Sequence, residues 1–124
     1  MRLENLKNKG IDVDSAMELC IGSEEIYQEV LDAALDEGKR KLPFMRECVE
    51  KEDYERYCIE VHGLKNAAKQ VGAMELSELA LEQEKAAKAG NYDVVKENYE
   101  AMLAAYQKVI DVLEEFLEEE AKGF

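Results

Sequence analysis

The chain has no tryptophan, a single proline, a single histidine and no run of apolar side chains longer than six residues. That longest run, Ala101 to Tyr106, falls far short of the roughly 20 residues a membrane-spanning helix needs. It is also shorter than the apolar centre of a signal peptide, so neither segment is expected here. Cysteine is sparse as well: Cys20, Cys48 and Cys58 are odd in number and form no CxxC pair. Thiols of a cytoplasmic protein fit this better than a secreted disulfide framework, with small apolar packing as their expected role. Basic residues are outnumbered, with 16 Lys and Arg against 29 Asp and Glu and a net charge of −13. Neither nucleic acid nor an anionic membrane surface suits such a chain, because both need clustered cations.

One histidine also limits the chemistry. Cys58 and His62 are four apart and share a helical face, which is compatible with metal ligation. No second histidine or local cysteine pair completes a set, and Lys65 and Lys69 oppose a cation. No serine or cysteine framework pairs with His62 as in a nucleophile–base triad. No metal and no cofactor are therefore expected.

What is abundant points to helix. Apolar residues make up 47% and charged residues 36% of 124 residues, with Ala, Glu, Leu, Lys and Met dominant, which suits one soluble helical domain spanning 1–124. Glycines at 10, 22, 38, 72, 90 and 123 punctuate segments whose apolar residues recur at helical spacing. Asp12 is the expected N-cap of a short helix to about Cys20, and Ser23 caps the next, with Glu24 and Glu25 at its positive end. Tyr27, Leu31 and Ala34 or Leu35 form that helix's inner face. Pro43 either opens a renewed segment or kinks a longer helix, with Met45 and Val49 inward.

From Asp53 a helix of about eighteen residues, some 27 Å long, carries the stripe Tyr57, Val61, Leu64, Ala68 and Val71, and Gly72 ends it. The next shows Leu76, Leu79, Ala80 and Gln83. The last carries Val95, Tyr99, Met102, Tyr106, Val109, Leu113 and Leu117 in a heptad-like seam. Short connections make successive helices antiparallel. The expected fold is all-α: an up-and-down antiparallel four-helix bundle with a short additional N-terminal helix, its core over about 10–117.

His62 lies just off the buried stripe, on a face shared with Cys58, Ile59, Lys65, Asn66 and Lys69. Two ammonium groups on that face favour an added anion. Gly63, Ala67 and Ala68 keep the surface low. A glycine inside a helix costs up to about 1 kcal/mol relative to Ala, which calls for close approach by a partner protein or by a neighbouring helix.

The stretch His62-Gly63-Leu64-Lys65-Asn66-Ala67-Ala68, then Val71-Gly72-Ala73 and Glu75-Leu76-Ser77-Glu78-Leu79-Ala80, resembles the histidine-containing phosphotransfer (HPt) domain. Gly10-Ile11-Asp12-Val13 and Gly22-Ser23-Glu24-Glu25-Ile26-Tyr27 resemble that family's opening, so the likeness covers about 10–117. The resemblance implies a phosphorelay intermediate. His62 would accept a phosphoryl group from a receiver-domain aspartate and pass it to another receiver-domain aspartate, while Lys65 steadies the phosphoryl oxygens. Cys58, Ile59, Gly63, Asn66 and Lys69 would meet the partner. The implied partners are response-regulator receiver domains and a hybrid sensor histidine kinase. The protein would be a cytoplasmic phosphohistidine carrier without independent catalytic activity.

Two positions depart from the family pattern. Asn66 stands where glycine is usual; it is small and can donate to a phosphoryl oxygen, or it narrows partner choice or slows transfer. Glu84 stands where several members carry glutamine facing the histidine. Its carboxylate would repel phosphate if it pointed inward, so it is expected to turn away or to pair with Lys85 or Lys88. These departures define the alternative: a degenerate HPt-like bundle that binds a receiver domain without carrying phosphate. A third reading is an unrelated scaffold in which His62 is incidental. The acidic run Asp111, Glu114, Glu115 and Glu118 to Glu120 reads as a solvated helix end that could also discourage wrong partners.

Overall fold

Asp12, Ser23 and Asp53 each accept a hydrogen bond from the backbone N–H three residues on, at Ser15, Ile26 and Arg56, all at 3.2 Å. Each bond satisfies one of the orphan donors at a helix start. In the computed structural model, which describes residues 1–123, these caps open three of six α-helices, and no strand occurs among the described residues. The helices are α1 (Leu3–Lys7), α2 (Val13–Leu19), α3 (Glu24–Glu50), α4 (Tyr54–Val71), α5 (Met74–Lys88) and α6 (Tyr92–Ala121).

The four long helices form the bundle. α3 lies against α4 and α6, and α5 lies against the same two from the opposite corner. Links of two or three residues between them reverse the chain each time. The sequence provides for one short N-terminal helix, and the structure has two. α1 packs on α2 and α6 and buries Leu6 completely.

Gly38 is not the helix break that glycine spacing suggests: α3 runs unbroken for 27 residues, through both Gly38 and Pro43. The physical reason lies across the bundle, because a Cβ at Gly38 would stand 2.8 Å from Ile110 Cγ1 and 3.3 Å from Tyr106 Cε1. The glycine is there so that α3 can approach α6.

All five residues of the predicted α4 stripe are buried. On α6 the buried set is Val95, Met102, Leu103, Tyr106, Ile110, Leu113 and Phe116, while Tyr99, Val109 and Leu117 are half-buried at its edge. The apolar face is thus broader than a two-position heptad seam, as a helix flanked by two neighbours requires. Cys20 and Cys48 pack in the core, and Cys58 is half-buried. Buried Tyr27 donates its hydroxyl to the Val71 carbonyl at 2.8 Å, fastening α3 to the end of α4. Gly72 caps α4 at φ +91 and accepts the Asp12 N–H at 2.8 Å. Its missing Cβ matters, since one would lie 2.5 Å from the Asp12 carbonyl oxygen.

Candidate functional site

The register of α4 against α5 is fixed on both sides of His62. Towards one end Tyr57 donates its hydroxyl to Gln83 Oε1 in the core. Towards the other, Ser77 Oγ donates to the Lys65 carbonyl at 2.9 Å. One residue beyond Gln83, α5 presents Glu84, whose side chain is 4% exposed, to an imidazole that is 54% exposed. His62 Nδ1 is hydrogen-bonded to Glu84 Oε2. Lys65 Nζ donates to Glu84 Oε1 at 2.8 Å, and Lys88 Nζ lies 3.2 Å from Oε2.

Burial by itself would raise the Glu84 pKa. The hydrogen bonds from Lys65, His62 and Lys88 outweigh it and hold the carboxyl at about 2. Glu84 is therefore an ionised acceptor at neutral pH, and it has no proton to donate. The proton of the shared hydrogen bond must sit on His62 Nδ1, which fixes the tautomer of the neutral ring. The Nε2 lone pair is then left free, and no hydrogen bond engages Nε2 among the described residues. Such an arrangement orients an imidazole as a nucleophile through its outer nitrogen.

Of the two arrangements expected for Glu84, the structure shows the pairing with a lysine. Glu84 does pair with Lys88, as foreseen, but it does not turn away from the histidine. Lys85 lies instead 3.9 Å from Glu82. The inward carboxylate comes with two ammonium groups on it, which offset its charge in the resting site. Sequence reasoning assigned Lys88 no role at the histidine. Its spacing of four after Glu84 was the available signal.

The other expected residues occupy one surface. Ile59 is 57% exposed, unusual for a large apolar side chain. Gly63, Asn66 and Lys69 are exposed, and Cys58 and Lys65 are half-buried. Cys58 lies one turn before His62, and no group of three or more His, Cys, Asp or Glu that could hold a metal occurs among the described residues. A Cβ at Gly63 would meet nothing within 4 Å. The close packing of a neighbouring helix is thus not what keeps position 63 small.

The all-α bundle thus presents one half-exposed imidazole on a helix surface, held from behind by an ionised carboxylate. The sequence matches the Hpt domain family over residues 17–119. The chain belongs to that family. The HPT domain of the Hpt sensor hybrid histidine kinase from Shewanella has the same fold, with a TM-score of 0.82 at 17% identity. The match covers 90% of this chain and 96% of that one. No curated protein matches the sequence. A role in phosphotransfer within phosphorelays follows from the family.

Proposed function

We propose that His62 is the phosphoryl acceptor of this domain, receiving the group from a receiver-domain aspartate and passing it to the aspartate of another. The observation that carries this reading is the hydrogen bond of His62 Nδ1 to a carboxylate that is ionised at neutral pH. With Nδ1 occupied, the Nε2 lone pair forms the N–P bond while the P–O bond of the aspartyl phosphate breaks. The electron pair of that bond leaves with the donor's carboxylate. The Nδ1 proton stays on the ring against Glu84, which stabilises the positive charge the ring acquires. Transfer onward reverses these steps and returns the lone pair to Nε2.

Lys65 steadies the phosphoryl oxygens in this scheme. Its hydrogen bond to Glu84 places its ammonium beside the imidazole, and it reaches the phosphoryl group by sharing or leaving that bond. Receiver domains dock on the surface of Cys58, Ile59, Gly63, Asn66 and Lys69, and the donor is a hybrid sensor kinase or its receiver. The protein acts in the cytoplasm as a phosphohistidine carrier. No helix among the described residues is long and apolar enough to cross a membrane.

Incubation with a phosphorylated receiver tests the reading. Acid-labile phosphate is expected on the wild-type protein and none on His62→Gln. Lys65→Ala is expected to slow transfer about tenfold or more, the scale of one lost charge-assisted contact, with helical content retained. Receiver binding without any transfer would instead establish the degenerate, phosphate-free bundle.

A further inference from the structure

Glu84 poses a problem that the phosphotransfer reading, on which this inference rests, leaves open. A phosphoryl group brings about two negative charges at neutral pH. It would arrive at a ring whose other nitrogen already touches a buried carboxylate. Lys65 neutralises that carboxylate at rest through Oε1. Once Lys65 turns to the phosphoryl oxygens, its hold on Glu84 weakens when negative charge at the site is greatest.

Lys88 is positioned to fill that role. It approaches Oε2, the same oxygen that holds His62, and it comes from the last residue of α5. Counted with a neutral imidazole, two lysines against one carboxylate leave the resting cluster with one net positive charge. Without Lys88 the cluster would be neutral before phosphorylation, and the carboxylate would face the phosphoryl group with Lys65 as its only cation. Lys85 does not substitute, because it lies by Glu82.

We propose that Lys88 is a positioning residue for phosphotransfer: it keeps Glu84 neutralised and on His62 Nδ1 while Lys65 serves the phosphoryl group. Lys88 and Glu84 together then replace what a neutral amide would do at position 84. A purely structural reading also exists, since a lysine in the last turn favours the helix dipole and a Glu–Lys pair four apart supports an isolated helix. The two readings differ in what depends on Glu84.

The test is a double-mutant cycle of Lys88→Met and Glu84→Gln in the full chain. Two donors are used: a phosphorylated receiver, and phosphoramidate, whose nitrogen leaves as ammonia when its P–N bond breaks. The Lys88 side chain is 64% exposed, so Lys88→Met is expected to keep the wild-type circular dichroism spectrum. It should slow phosphorylation of His62 by about tenfold with either donor, equivalent to about 1.4 kcal/mol in the barrier. In the Glu84→Gln background the same substitution should change the rate less than twofold, because no carboxylate remains to be neutralised. A Lys88→Met rate equal to wild type overturns the proposal. So does a loss of equal size in both backgrounds, which would mean that Lys88 acts on the donor directly. A slowing seen with the receiver alone would make Lys88 a docking residue and also overturn it. A wild-type protein inert to both donors would bring down the phosphotransfer reading itself and the role of Lys88 with it.

Discussion

Glu84 carries a nearly buried carboxylate against the half-exposed ring of His62. Buried carboxylates are unfavourable unless they are paired and hydrogen-bonded, and this one has a histidine and two lysines on its two oxygens. The consequence is measurable without any partner protein. Burial would raise its pKa, yet the bonds from Lys65, His62 and Lys88 lower it from the ordinary 4.5 to about 2. A carboxyl whose folded pKa is depressed contributes stability above its unfolded pKa, and that contribution is lost as the pH falls through the folded value. Urea titrations should therefore show wild type losing stability more steeply than Glu84→Gln as the pH drops from 4.5 to about 2. Equal slopes would show that the carboxyl gains nothing from its neighbours.

At the scale of single helices, two glycines inside α3 and α4 have opposite reasons to exist. Gly38 sits where a methyl group would run into Ile110 and Tyr106. Gly63 has open space around its missing Cβ. Substituting alanine should accordingly move stability in opposite directions. Gly38→Ala is expected to lose about 1–3 kcal/mol through overpacking of the α3–α6 contact. Gly63→Ala is expected to gain about 0.5–1 kcal/mol, because alanine is the better helix former and meets nothing. Denaturant unfolding of the two variants measures both. If Gly63 belongs to the surface that receives a partner, the same variant should bind a receiver domain more weakly although it is more stable. Unaltered binding would remove Gly63 from that surface.

For the whole molecule the dominant electrostatic fact is a net charge of −13 on 124 residues. The ion pairs away from the site are largely exposed, among them Arg46–Glu100, Lys96–Glu52 and Lys7–Asp14, and exposed pairs contribute little. Two acids of the α6 end are drawn into pairs, Glu114 with Lys39 and Glu120 with the N-terminal amine at 3.7 Å. Most of the charge remains as self-repulsion, which salt screens. The melting temperature should therefore rise between about 10 mM and 300 mM sodium chloride, where the Debye length falls from about 30 Å to under 10 Å. A flat or falling melting temperature would mean that attractive pairs outweigh repulsion in this fold.

What the sequence determined by itself was whatever depends on neighbours within one helix. The caps at Asp12 and Ser23, the helix start at Asp53, the α4 stripe from Tyr57 to Val71 and the left-handed stop at Gly72 were all legible. So was the exposed position of His62 beside that stripe, since 100° per residue is a local rule. Tertiary structure decided where Glu84 points, what Gly38 is for and which lysines reach the site. Glu84 meets His62 across 22 positions of sequence, through a register that Tyr57–Gln83 and Ser77–Lys65 fix between two helices. Local periodicity places a side chain on its own helix but does not say how far a neighbouring helix has slid along it. Read alone, Glu84 was a charge either to be turned away from phosphate or to be paired with a lysine. Held by Lys65 and Lys88, it is the group that fixes the orientation of the histidine.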